Sequence, residues 1–253
     1  MTYHHKMRLH ECCDGRVGMV SRNGIGGLFE TAVGVRGIKI AKYLKLRAQM
    51  AMGRAPYTAL NGLDKQLLSY LPSGGFFVEA GGNDGVDQSN TFYLEKCMGW
   101  EGILIEPFEP LSRLSSRFRS ATAIAAALGS TEDEGKCLEM TFSDLMSSKV
   151  YERTASPKWG GLFGPNPTTF AAPIRTLSSI LDEIEAPPVT LLSLDVEGFE
   201  LRVLEGLNLV RHRPKFILIE TTQPEAVLSH LGRGYKMEKQ LSFHDYLIID
   251  HAS

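Results

Sequence analysis

Four apolar runs in this chain each end in an acid: Phe76-Phe77-Val78-Glu79, Ile103-Leu104-Ile105-Glu106, Leu191-Leu192-Ser193-Leu194-Asp195 and Phe216-Ile217-Leu218-Ile219-Glu220. Parallel strands of a doubly wound α/β sheet share one carboxyl edge, where such folds take their ligands, so the pattern gathers carboxylates at a binding edge. After the first run the chain reads Glu79-Ala80-Gly81-Gly82-Asn83-Asp84-Gly85. Glycines there let the backbone turn sharply and approach a ligand with no Cβ in the way. The acid ending the second run, Glu106, is placed to accept both hydroxyl hydrogens of a ribose. Together the turn and the acid point to an adenosyl cofactor and a small-molecule enzyme. The turn does not fit the G-x-G-x-x-G that seats a pyrophosphate on a helix N-terminus, so a nicotinamide or flavin dinucleotide is the weaker alternative.

The elements that must position these groups follow from local pattern. Leu63, Leu67 and Leu71 form one face of a helix that Asn61 is expected to cap and that ends at Pro72 with Ser73-Gly74-Gly75. Beyond Gln88, Tyr93 with Cys97 and Leu94 with Met98 pair at i, i+4 on a second helix. A polar helix near Leu111 to Phe118 and an alanine-rich strand near Ala121 to Ala127 come next. Small residues in that strand, Ala126 among them, would let an adenine ring lie flat against the sheet edge. Gly129 to Thr141 reads as a hairpin with Glu132-Asp133-Glu134-Gly135 as its solvated turn. Leu177, Ile180, Leu181 and Ile184 repeat as a helix before Pro187-Pro188, and a helix over Phe199 to Glu205 follows Asp195. Thr222-Gln223-Pro224-Glu225 reads as a capping box, and Tyr235 to Leu241 with Tyr246 to Ile249 as an antiparallel pair.

The spacing E-x-G-x-x-x-G resembles the first motif of S-adenosylmethionine-dependent methyltransferases. The resemblance narrows through Gly99-Trp100-Glu101-Gly102, Ile105-Glu106-Pro107, Ala125-Ala126-Ala127-Leu128-Gly129, Leu194-Asp195-Val196-Glu197-Gly198-Phe199-Glu200 and Ile219-Glu220. In that order these motifs are similar to those of the FkbM-type methyltransferases, from about residue 61 to 251; Gly82 stands where that family usually carries alanine. The resemblance implies a Rossmann-like, seven-stranded class I methyltransferase sheet, S-adenosylmethionine as donor and a hydroxyl acceptor on a sugar, glycan or natural product. The cofactor contacts expected are Glu79, Gly81, Asn83, Asp84, Gly85, Ser89, Glu106, Ala126 and Asp195. A sulfonium cation favours nearby carboxylates, and this edge supplies them. Asp195, Glu197 and His244 are the expected catalytic groups, with Glu220 a further candidate base. Glu197 could instead cap the helix that follows it, and His244 could be a surface turn residue. Asp195, Glu197 and Glu220 together would also suit a hard cation such as Mg²⁺, an option held open without assigning a metal.

Composition agrees with one catalytic unit: 253 residues, 43% hydrophobic and 22% charged, with a net charge of -2. That balance offers no basis for a nucleic-acid binder. Cys12, Cys13, Cys97 and Cys137 show no paired framework, so a reducing, cytoplasmic setting is expected; no run is long enough to span a bilayer. Two units are expected: residues 1–60 as a basic, glycine-rich extension and 61–253 as the methyltransferase domain. Between Gly15 and Pro56 eight arginines and lysines face only Glu30, while Ile38, Ile40, Leu44 and Leu46 fall on no single helical face. The extension is expected to pack on the domain or on a neighbouring copy in a homo-oligomer. His4, His5, His10, Cys12 and Cys13 fit no zinc spacing. From 145 to 173 periodicity fails while Trp159, Phe163 and Phe170 crowd among glycines and prolines, which suggests an acceptor-binding lid. A non-catalytic module in glycan assembly is the remaining alternative to an enzyme.

Overall fold

In a computed structural model the described residues are 9–11, 25–143, 146–149 and 168–252. In chain order the first elements are β1 (Leu9–Glu11), α1 (Ile25–Ala51), α2 (Leu63–Leu67), β2 (Phe76–Ala80), α3 (Phe92–Met98), β3 (Glu101–Ile105), α4 (Glu109–Phe118), β4 (Thr122–Ile124) and β5 (Ala127–Leu128). There follow β6 (Lys136–Ser143), β7 (Met146–Lys149), β8 (Thr168–Arg175), α5 (Leu177–Glu183), β9 (Leu191–Leu194), α6 (Glu200–Glu205), β10 (Phe216–Glu220), α7 (Pro224–Leu231), β11 (Tyr235–Gln240) and β12 (Asp245–Asp250).

Seven strands form the central sheet in the order β11-β12-β10-β9-β2-β3-β4, a Rossmann-like methyltransferase arrangement. Six of its strands point one way and β12 runs opposite to them, antiparallel to both β11 and β10. Side chains alternate between faces with period two. Phe77, Leu104, Leu191 and Leu218 pack with Leu67 and Leu94, and Val78, Ile103, Leu192 and Ile217 pack with Ile180, Val203 and Val227. Both faces are therefore buried, which is why the strands read as unbroken apolar runs rather than alternating ones. From β2 the chain steps one way to β3 and β4, and later steps the other way through β9 and β10. The carboxyl ends of β2 and β9 thus flank a topological switch point, where doubly wound sheets leave a crevice.

A second sheet, β1-β6-β8-β5 with β7 on β6, stands beside that edge. It corrects several expectations. The alanine-rich strand leaves the central sheet after Ile124, and β5 pairs in parallel with β8 rather than with β6 in a hairpin. Asp133, expected in a solvated turn, is 2% exposed and ion-paired to Arg202 and Lys136. Within the stretch expected to be a lid, 146–149 and 168–173 belong to β7 and β8, and Phe170 is buried against Phe108 with ring centroids 4.9 Å apart. Trp159 and Phe163 lie outside the described residues, as do His4, His5, Cys12 and Cys13. Cys97 is free, whereas Cys137 is disulfide-bonded, which the absence of a paired spacing in the sequence did not lead one to expect. Among the described residues no helix is long and apolar enough to cross a membrane.

Local caps also differ from expectation. Asn61 adopts a left-handed φ of 53° and caps nothing with its side chain; Asp64 Oδ2 accepts instead from the Thr58 and Ala59 N–H groups, at 2.7 and 3.2 Å. Thr222 to Glu225 form no capping box, the Gln223 N–H donating to Thr221 Oγ1 at 3.1 Å. Helix α1 does pack on the rest of the molecule: Ile40, Tyr43, Leu46 and Met50 lie against Val86, Phe92, Leu114 and Phe118. The face escaped the sequence pattern because Leu44 points outward, 56% exposed, while Tyr43 and a buried lysine, Lys39, complete the inner side.

Candidate functional site

Strand β2 ends where Gly81, at φ +83°, turns the chain under the backbone of Asp195. The N–H groups of Gly81 and Gly82 both donate to Ile105 O, at 2.9 and 3.1 Å, and Asp195 N–H donates to Ala80 O at 3.1 Å. The ends of β2, β3 and β9 are thus tied together by the turn itself. Asn83 and Gln88 also take left-handed φ values of 47° and 63°, and their loop is held in place by buried side chains.

Two acids do that holding. The Glu79 carboxylate accepts from Ser89 Oγ at 2.8 Å, Thr91 Oγ1 at 2.6 Å and Asn90 N–H at 2.7 Å. Asp84 Oδ1 accepts from the Val86 and Asp87 N–H groups at 2.9 and 2.8 Å, and its Oδ2 from Lys39 Nζ at 2.6 Å. Arg119, unnoticed in the sequence, runs behind both with its side chain fully buried. It donates to Gly85 O at 2.7 Å, Ser89 Oγ at 3.0 Å, Thr91 Oγ1 at 2.8 Å and Glu95 at 2.7 Å, between the rings of Phe77 and Phe92. Asp84 and Gly85 therefore shape the loop from behind and do not line the cleft, whereas Glu79, Gly81, Asn83, Ser89, Glu106, Ala126 and Asp195 do.

Three side chains in the cleft wall bear on what it can hold. The side-chain carbonyls of Asn83 and Asn90 are buried and accept no hydrogen bond, although Asn90 Nδ2 donates to Ser193 Oγ at 3.0 Å. A buried acceptor left without a donor costs about 1–3 kcal/mol, so a ligand bearing N–H or O–H groups gains by reaching these two. Glu106 accepts from Asn83 N–H at 3.0 Å and Phe108 N–H at 2.9 Å. Burial nonetheless pushes its carboxyl up to about 7, against the pull of those two N–H groups. Beside it Pro107, Leu111 and Ala126 make an apolar slot, closed from the second sheet by Leu138 and Met140. These last two were hidden in the sequence because the strand carrying them reads as part of a surface hairpin.

The raised value at Glu106 has a measurable sign. Between about pH 4.5 and 7 the folded protein keeps a proton that the unfolded chain has released, so stability falls as pH rises through that window and levels off above it. Going from pH 5 to pH 8 the wild type should lose about 2 kcal/mol relative to Glu106→Gln. Urea unfolding of both proteins at the two pH values checks this; an unchanged difference would contradict it.

At the end of β9, Asp195 and Glu197 both reach the cleft. Asp195 opens to solvent on the cleft side, but the surrounding walls strip much of its hydration. That desolvation, with the charges of Glu220, Glu197, Asp245 and Glu200, pushes its carboxyl well above the usual range. Phe199, not Glu197, is the N-cap of α6, with no side-chain capping hydrogen bond; Glu200 Oε1 accepts from Gly198 N–H at 2.8 Å, in the turn before the helix. Glu197 itself sits at φ 54°, a strained position for a side-chain-bearing residue and one often kept at functional sites. His244 is exposed, packs edge-on against Phe243 with centroids 4.8 Å apart, and lies beside Glu220 rather than in the cleft. Asp195, Glu197 and Glu220 do not converge on one point: among the described residues no three His, Cys, Asp or Glu side chains are placed to hold a metal ion.

The model of the methyltransferase FkbM domain matches residues 79–243, from the acid that anchors the turn to the loop before β12. Among solved structures the chain is similar to the methyltransferase FkbM from Methylobacillus flagellatus KT, at 14% identity and a TM-score of 0.42. That alignment covers 89% of this chain and 58% of the other, so this chain spans little more than half the length of that protein. No curated protein matches.

Proposed function

The chain belongs to the FkbM methyltransferase family, and on that premise we propose that it moves a methyl group from S-adenosylmethionine to a hydroxyl group of a sugar, glycan or natural product. The observation that carries the donor assignment is the pair of orphaned buried acceptors, Asn83 Oδ1 and Asn90 Oδ1, in the wall of a cleft that also holds Glu106 and Asp195. A cationic donor rich in N–H and O–H groups fits such a wall, and no phosphate-binding turn is required.

Glu106 would accept the ribose hydroxyls, with the apolar slot beside it taking the adenine. Asn83 and Asn90 would accept hydrogens from the polar ends of the donor. When bound, the sulfonium supplies an activated methyl carbon. What remains for the chain is to hold an acceptor oxygen in line with that carbon and to take up its proton. Asp195 suits the second task because its raised affinity for a proton makes it a better base than a solvated carboxylate. During methyl transfer the hydroxyl proton would pass to Asp195, and Glu197, two positions further along the chain, would orient the acceptor.

The test is ligand binding followed by turnover. S-Adenosylhomocysteine at 100 times its dissociation constant should stabilise the native state by about 2.7 kcal/mol, and NAD should not. A thermal shift with NAD alone would move the assignment to an oxidoreductase, and no shift with either would leave a non-catalytic module. A screen of nucleotide sugars and glycans with labelled donor then identifies the acceptor. With it, Asp195→Asn should lower kcat about 10²-fold while leaving S-adenosylhomocysteine binding within about threefold, because the lost function is proton removal.

A further inference from the structure

Lys39 lies on α1, forty residues before the matched family segment begins, yet it is 5% exposed and its ammonium sits 2.6 Å from Asp84 inside the family's own turn. The same nitrogen is 3.3 Å from Asp87, a residue of the cleft wall that Lys42 also reaches at 3.0 Å. Asp84 is 1% exposed, and its other oxygen orders the Val86 and Asp87 N–H groups. Deprived of its cation, that carboxylate would be a buried unpaired charge at the centre of the loop that carries Asn83 and Gln88. Loops relieve such a charge by turning it out to water, and here that would unmake the two N–H bonds and move the cleft wall. Packing of Ile40, Tyr43 and Leu46 keeps α1 in register, so the lysine is delivered by tertiary contact and not by the domain's own motifs.

We propose that Lys39 is a positioning residue for the donor site, holding Asp84 and through it the Asn83–Gln88 loop in the shape that binds the donor. The inference rests on the methyl-donor reading of the cleft. It makes the N-terminal helix part of the binding apparatus although no residue of that helix lines the cleft.

Calorimetry with S-adenosylhomocysteine tests it on four full-length proteins: wild type, Lys39→Met, the double variant Lys39→Met with Asp84→Asn, and Leu231→Ala. Lys39→Met should bind about tenfold or more weakly, since breaking a buried ion pair strands its partner. The double variant should return to within about threefold of wild type, because asparagine keeps an oxygen for the Val86 and Asp87 N–H groups without the charge. Leu231→Ala, in α7 on the other face of the sheet, should lower the melting temperature while leaving the dissociation constant unchanged. Wild-type binding by Lys39→Met, a double variant no better than the single one, or equal weakening in Leu231→Ala would each overturn the proposal. If Lys39→Met does not fold, the double variant decides: near-wild-type binding supports charge compensation and tenfold weaker binding refutes it. Absence of binding by the wild type would instead remove the donor reading on which the inference stands.

Discussion

Replacing Arg119 by methionine is expected to destabilise the protein by about 3–5 kcal/mol, the cost of stranding buried partners of a charge. The guanidinium is sealed between Phe77 and Phe92 and reaches Glu95 at 2.7 Å, Gly85 O at 2.7 Å and Glu79 at 3.6 Å. Methionine fills comparable volume but supplies no donor, so the effect measures charge and hydrogen bonding rather than a cavity. Urea denaturation at pH 7 gives the magnitude, and a loss below about 1 kcal/mol would show that the two acids find other partners. The pH dependence carries a second signature. Burial alone would raise the Glu95 carboxyl, but the Arg119 charge, with Lys96 and the Ser120 N–H, brings it below its ordinary value. Its stabilising contribution is therefore present above the unfolded value and lost as pH falls through the lower folded one. In Arg119→Met that acid-side loss should shrink, because the principal lowering charge is gone.

Gly81→Ala is expected to abolish donor binding and to cost about 3 kcal/mol or more of stability. A Cβ at this position would stand 1.9 Å from the backbone oxygen of Asp195, and φ is +83°, where alanine is strained whatever the space. The overlap is with backbone, so no rotamer change relieves it. The chain must instead open the gap between the ends of β2 and β9, which breaks the bond from Asp195 N–H to Ala80 O and displaces both the turn and the Asp195 carboxylate. Equilibrium denaturation and calorimetry with S-adenosylhomocysteine on one preparation separate the two consequences. An alanine variant that binds as wild type would mean that the turn relaxes without moving the cleft. Gly82 makes a useful contrast: its added Cβ would stand 3.3 Å from the Leu104 side chain and 3.7 Å, an ordinary contact, from the backbone oxygen of Glu79, and its φ is not left-handed. Alanine there, the family's usual residue, should be tolerated.

Much of the central sheet was legible because its determinants are local and repeated. The strands β2, β3, β9 and β10 at its centre are apolar runs bounded by turn residues, and the acid at the end of each is carried automatically to the carboxyl edge once the strands lie parallel. Glu79, Glu106, Asp195 and Glu197 could thus be placed at one edge from order and spacing. The second sheet was not legible in the same way. Its strand β5 has two residues, and its partner β8 begins forty residues later, beyond any local signal.

What the sequence determined by itself was which residue types arrive at the edge of the sheet, since a strand's period and its terminating glycine are properties of the strand alone. Tertiary structure decided what each of them does there. It turned Asp84 away from the cleft and toward Lys39, gave Arg119 the task of holding Glu95 and the loop, brought Glu197 to the cleft wall on a left-handed turn, and kept His244 outside. The physical reason is that a buried charge or polar group takes its role from the partner that compensates it. Those partners lie 45 residues away for Asp84 and 24 for Glu95, at separations only the packed molecule brings to hydrogen-bond distance.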